Sequence, residues 1–112
     1  TPQYGHAFEH FVIQELIAYI DYHHKDEKLA YWRTHTGIEV DVVIDEAKLA
    51  IEIKSTEEIQ PRHLKGLKSF GDDYPEFRKI LVSLDRINRC ENDVELIYIH
   101  DFLRMLWKGE LF

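Results

Sequence analysis

The stretch Gly37-Ile38-Glu39-Val40-Asp41-Val42-Val43-Ile44-Asp45-Glu46-Ala47-Lys48-Leu49-Ala50-Ile51-Glu52-Ile53-Lys54 decides how this chain folds. Ile38, Val40, Val42 and Ile44 alternate with Glu39, Asp41, Val43 and Asp45, while Leu49, Ile51 and Ile53 alternate with Lys48, Ala50, Glu52 and Lys54. A period of two marks a strand with one buried face, so two strands are expected with a turn at Glu46-Ala47. In an antiparallel hairpin with a two-residue loop, Asp45 faces Lys48. Counting back along both strands then puts Asp41 opposite Glu52 and Glu39 opposite Lys54, with Val40, Val42, Ile51 and Ile53 together on the other face. Glu46-Ala47 is not a favoured loop pair for such a turn.

Upstream, Tyr4 to Tyr22 carries apolar residues at helical spacing, with Phe8, Val12, Leu16 and Tyr19 on one side and Ile13, Ile17 and Ile20 beside them. A wide, buried helix face is predicted. A polar break from His23 to Lys28 precedes an aromatic strand, Leu29 to Thr34. Downstream, Pro61 suits a first helical position, and Leu64, Leu67, Phe70 and Tyr74 make an apolar stripe. The opposite face holds Arg62, Lys65 and Lys68, with no acid between Gln60 and Gly71. Ile80 to Leu84 reads as a strand, Asp85 to Asp93 as a polar connection, and Val94 to Ile99 as another strand. Asp101 is the expected N-cap of a last helix, Phe102 to Lys108, ended by Gly109. The order α-β-β-β-α-β-β-α is that of a mixed α/β domain.

The 112 residues amount to one domain, 1–112, and with 45% apolar residues the chain folds around a core without needing disulfides. Fourteen basic against 21 acidic residues leave a net charge of −7, which argues against a surface that is basic all over but leaves room for a local basic patch. Cys90 is the single cysteine, so no internal disulfide forms. No apolar run approaches the roughly 20 residues of a membrane span, and nothing reads as a charged leader before an apolar block. A cytoplasmic setting with no membrane is expected.

Two carboxylates facing each other across a strand pair repel unless something positive lies between them. Asp41 and Glu52 therefore either face water as part of a hydrated hairpin surface or hold a hard cation such as Mg²⁺, Mn²⁺ or Ca²⁺, with Lys54 projecting nearby. Glu9 lies in line with Ile13, Leu16, Ile17 and Ile20, and a carboxylate in an apolar stripe is costly to bury unpaired. It pairs with Arg33, looks out from the helix end, or delivers a third acid to the same centre. His6-Ala7-Phe8-Glu9-His10 has the form of an inverted zinc-protease motif, but that motif also needs a downstream acidic ligand and a cleft. Gly66 and Gly71 are spaced as in a phosphate-binding loop. Asp72-Asp73 stand where that loop requires Lys and Ser or Thr, so no nucleotide site is expected. Cys90 lies in a polar stretch with no evident histidine partner and reads as an ordinary free thiol.

Glu9, Asp41 and Glu52-Ile53-Lys54 resemble the PD-(D/E)xK nuclease superfamily, although Val40 stands where the proline of that name would be. Five segments in order, Gly5 to Glu9, Tyr31 to Thr34, Gly37 to Asp41, Ile51 to Ser55 and His63 to Leu67, are similar to a domain of unknown function found at the C-terminal end of many prokaryotic AAA-type ATPases. The resemblance implies a restriction-endonuclease-like fold, with a mixed four- to five-stranded sheet flanked by helices. It implies Asp41, Glu52 and the Ile53 carbonyl as ligands of Mg²⁺ or Mn²⁺, Glu9 as support for that centre, and Lys54 beside the attacking water. The implied activity is metal-dependent hydrolysis of DNA phosphodiesters, with Arg33, Arg62, Lys65 and Lys68 on the phosphates. The alternative is a catalytically inactive nucleic-acid-binding or assembly module. In either case an AAA-type ATPase module is expected in the same full-length chain, and the reading allows an oligomer.

Overall fold

The structure, a computed structural model, describes residues 2–112. Thr1, the first residue of the expected 1–112 unit, lies outside them. Helix α1 (Pro2–Tyr22) is followed by strands β1 (Ala30–Arg33), β2 (Glu39–Ile44) and β3 (Leu49–Lys54), then helix α2 (Lys65–Asp73) entered through a 3₁₀ turn at Pro61–Leu64. Strands β4 (Arg78–Ser83), β5 (Arg89–Glu91) and β6 (Val94–Tyr98) lead into helix α3 (Ile99–Trp107). The fold is mixed α/β, as expected.

The sheet has six strands in the order β1-β2-β3-β4-β6-β5, against the four to five expected. The additional strand is β5, which lies inside the stretch read as a polar connection. It pairs antiparallel with β6 through a two-residue turn, Asn92-Asp93, whose φ angles of 52° and 65° match the twist of a tight hairpin. Strands β1, β2 and β3 form an antiparallel meander, whereas β3, β4 and β6 run parallel. The pairing direction thus changes at β3, the strand that carries Glu52 and Lys54.

Strands β2 and β3 pair Val42 with Ile51, Val43 with Ala50 and Ile44 with Leu49, the expected register. The expected two-residue loop is corrected to four residues, Asp45 to Lys48. Ala47 N–H donates to the Ile44 carbonyl, Lys48 N–H donates to the Asp45 carbonyl, and Lys48 takes φ 50°. The longer turn removes any need for Glu46 and Ala47 to adopt the strained pair of conformations that a two-residue loop requires.

The sheet is covered on both sides. Phe8, Val12 and Leu16 of α1 and Phe102 and Leu106 of α3 pack on Val42, Ile44, Ile51 and Ile53. Leu64, Leu67 and Phe70 pack on the opposite side, against Ala50, Leu81, Leu96 and Val40. Val40 therefore departs from the expected grouping with Val42, Ile51 and Ile53. Ile17 departs too: it is 38% exposed, because the sheet beneath α1 touches a stripe narrower than the apolar one. The N-cap of α3 is Tyr98 rather than Asp101, which sits in the first turn, where a carboxylate suits the positive helix end, and pairs with Arg104. Gly109, with φ +74°, follows the last turn as expected.

Candidate functional site

The position of Asp41 follows from a bulge. On β1, Ala30 pairs with Val43 and Trp32 with Val40, so the single residue Tyr31 opposes two, Asp41 and Val42. An extra residue on one strand reverses the alternation beyond it and re-aims a side chain. This is why Val40 enters the α2-side core while Val42 stays under α1. Asp41 is the residue at the changeover.

The β2–β3 ladder reaches Val42–Ile51, and side chains continue it. Asp41 N–H donates to Glu52 Oε1 at 3.1 Å, and Ile53 N–H donates to Asp41 Oδ2 at 2.8 Å. Glu52 takes the backbone donor of Asp41 and Asp41 takes that of Ile53, so the two acids do not stand side by side on a plain sheet face. In a strand a residue's N–H and C=O leave on the same edge. The Ile53 carbonyl therefore points to the same side of β3 as the N–H held by Asp41.

Glu9 of α1 hydrogen-bonds the Asp41 carboxyl, which in turn hydrogen-bonds Glu52. Glu52 is 4% exposed, and Lys54 Nζ stands 3.5 Å from its Oε2. The bond to Asp41, reinforced by burial, raises the Glu9 pKa to about 7. Burial, together with the bond to Glu52 and its repulsion, raises Asp41 to about 7. Carboxyl-to-carboxyl hydrogen bonds need a proton between them, so this row of acids is short of positive charge. Arg33, one of the partners weighed for Glu9, is exposed on β1 beside Tyr31 and Glu39.

A concavity of about 330 Å³ opens on the Glu52 side, bordered by Glu39, Glu52, Lys54, Arg62, His63 and Lys65. Of the four basic residues assigned to phosphate, Arg62 and Lys65 reach it. Lys68 borders a different concavity with Asp72, Lys79 and Asp93, and Arg33 is not part of the wall. Gly66 lets α2 approach β2 closely, since a Cβ there would lie 2.4 Å from the Glu39 carbonyl oxygen. From the sequence, His63 stands out only as the first residue of the segment His63 to Leu67. The spacing Gln60-Pro61-Arg62-His63 is the signal for its position: Pro61 opens the turn, and His63 Nδ1 accepts the Gln60 N–H at 2.8 Å. Burial, then Arg62 and Lys54, lower the His63 pKa.

Among the described residues, no group of three or more His, Cys, Asp or Glu side chains is arranged to hold a metal ion. His6 and His10 are exposed, and Glu9 turns to Asp41, which disposes of the zinc-protease pattern. The donors that remain are all oxygen: the Asp41 and Glu52 carboxylates and the Ile53 carbonyl. Such a set suits a hard cation that keeps several waters, and its deficit of positive charge is what a cation relieves. Cys90 is an exposed free thiol on β5. No helix among the described residues is long and apolar enough to cross a membrane.

The profile of a family described as a domain of unknown function (DUF4143) matches residues 4–102, a span that holds every residue of the acid row and of the concavity. No curated protein and no solved structure matches the chain.

Proposed function

Since the chain belongs to the DUF4143 family, whose function is unknown, we propose from its own residues that it is a metal-dependent phosphodiester hydrolase of restriction-endonuclease-like fold acting on DNA. The observation that carries the reading is the exchange of hydrogen bonds between Asp41 and the Glu52-Ile53 segment, with Lys54 at its end. Asp41, Glu52 and the Ile53 carbonyl would hold Mg²⁺ or Mn²⁺. Bound there, the ion supplies a water of lowered pKa and neutralises charge on the phosphate.

The chain's own groups do the rest. Lys54 places an ammonium where charge develops in the transition state. Glu9 acts through Asp41, holding its carboxyl in place. Arg62 and Lys65 attract the DNA backbone to the concavity, which a net charge of −7 permits because phosphate contact depends on local charge. The resemblance further suggests a protein in which this domain follows an AAA-type ATPase module, and the single cysteine goes with a reducing, cytoplasmic setting.

A second reading is a binding or assembly module with no catalysis. It draws on exposed apolar side chains, Phe11 and Ile17 on α1 and Trp107 on α3, which offer a surface to another module. Incubation with plasmid DNA in Mg²⁺ or Mn²⁺, for this chain alone and in its full-length parent, separates the two. Nicking absent from a Glu52→Gln control is expected. Metal and DNA binding without cleavage above that control would favour the assembly module.

A further inference from the structure

His63 carries chemistry that the hydrolase reading leaves unused. It occupies the third position of the 3₁₀ turn Pro61–Leu64 and borders the concavity shared by Lys54, Arg62 and Lys65. Its Nδ1 accepts the Gln60 N–H at 2.8 Å. An imidazole whose Nδ1 accepts a hydrogen bond is neutral and bears its proton on Nε2, at the other edge of the ring. Burial and the positive charges of Arg62 and Lys54 favour the same uncharged form. Among the described residues, Nε2 makes no hydrogen bond, so an oriented donor stands beside Lys54, Arg62 and Lys65 in a wall that Glu39 and Glu52 complete.

We infer that His63 is a phosphate-binding residue: its neutral imidazole donates Nε2–H to a non-bridging oxygen of a DNA phosphate seated among Lys54, Arg62 and Lys65. The inference rests on the hydrolase reading for the identity of the anion. The division of labour is physical. Arg62 and Lys65 add attraction that salt screens, whereas a neutral donor adds direction and leaves the counterion balance unchanged. A phosphate held at a fixed angle to Lys54 is what in-line attack on phosphorus requires.

The test is side-chain ¹⁵N NMR of the intact chain, titrated with an eight-nucleotide thymidylate strand without divalent ions, so that the readout is independent of cleavage. The free protein should show His63 protonated on Nε2, and that resonance should move on titration. His63→Asn supplies an oxygen for the Gln60 N–H but a shorter reach. It should keep its melting temperature, bind the strand about tenfold more weakly, and show the same salt slope as the parent. Lys65→Ala should instead lower that slope by about 0.7, the value for one phosphate contact on a single strand. An Nε2 resonance that ignores the strand, or His63→Asn binding as the parent does, would overturn the inference and leave His63 a helix cap. Absence of cleavage in metal, with Nε2 still responding, would count against the hydrolase reading and leave the His63 contact standing.

Discussion

Asp41 Oδ2 accepts the backbone N–H of Ile53 at 2.8 Å, tying the acid of one strand to the peptide that joins Glu52 to Ile53 on the next. Asp41→Asn keeps an oxygen for that bond and removes the charge. Free of metal at about pH 8, the variant should melt above the parent, because its repulsion with Glu52 is gone. Mg²⁺ or Mn²⁺ at about 100 times its Kd should stabilise the parent by about 2.7 kcal/mol through mass action and the variant by far less. Thermal melts with and without metal measure both effects, and an equal metal response in the two proteins would place the ion elsewhere.

Glu9 and Asp41 sit near 7 in the folded chain, above their ordinary values of 4.5 and 3.8. Between those limits the folded state binds more protons than the unfolded one, so the stability these groups contribute is complete at low pH and lost as pH rises through 7. Melting of the metal-free protein should therefore fall between about pH 5 and about pH 8, the reverse of an ordinary ion-paired carboxylate. His63, with its pKa lowered, pulls the opposite way, so the decisive comparison is the parent against Asp41→Asn, in which the fall should shrink. A parent and variant with superimposable pH profiles would contradict the assignment.

Lys54 lies 3.5 Å from Glu52, yet Glu52 also accepts the Asp41 N–H, so Lys54→Ala should leave the acid row assembled. Metal-dependent stabilisation should survive, while single-turnover DNA cleavage slows by about two to three orders of magnitude, the usual cost of one preorganised charge. Glu52→Gln should lose both. Equal cleavage by Lys54→Ala and the parent would remove Lys54 from the chemistry.

Alanine in place of a helical glycine ordinarily gains up to about 1 kcal/mol. At Gly66 the new Cβ would lie 2.4 Å from the Glu39 carbonyl oxygen, which is backbone and cannot swing aside. Gly66→Ala should therefore lose about 1–3 kcal/mol in urea unfolding, as overpacked sites do. It should also weaken DNA binding, because Arg62 and Lys65 move with α2. A stabilised variant would mean that α2 shifts off β2 without cost.

The register of β2 on β3 is readable because the bulky Val42, Ile44, Leu49 and Ile51 recur at every second position, and a slip of one residue would carry all of them from the α1 side of the sheet to the α2 side. Val40 lies on the other side because the bulge is a property of two strands, and β2 alone does not reveal that Tyr31 faces both Asp41 and Val42. Strand β5 is not legible in the sequence because Arg89, Cys90 and Glu91 show no apolar alternation; its local sign is the Asn92-Asp93 turn. Glu9 was conspicuous as an acid in an apolar stripe, and Asp41 is the partner it meets. Helical periodicity put Lys68 on the same face as Arg62 and Lys65. The concavity ends within the first turn of α2, which periodicity does not encode.

The change from antiparallel to parallel pairing at β3 also orders events in time. Asp41 and Glu52 are 11 residues apart in the chain and close through one short turn. Pairing β3 with β4, by contrast, waits for the whole crossover that contains α2, and pairing β4 with β6 waits for the β5 excursion. Contacts closed through short loops lose less chain entropy and form readily at the barrier to folding. Truncations at Ile44 and Leu49 should mainly slow folding, whereas truncation at Leu96 should mainly hasten unfolding. The acids would then be drawn together while the strands beyond β3 are still unpaired, and the basic wall from α2 would close over them afterwards.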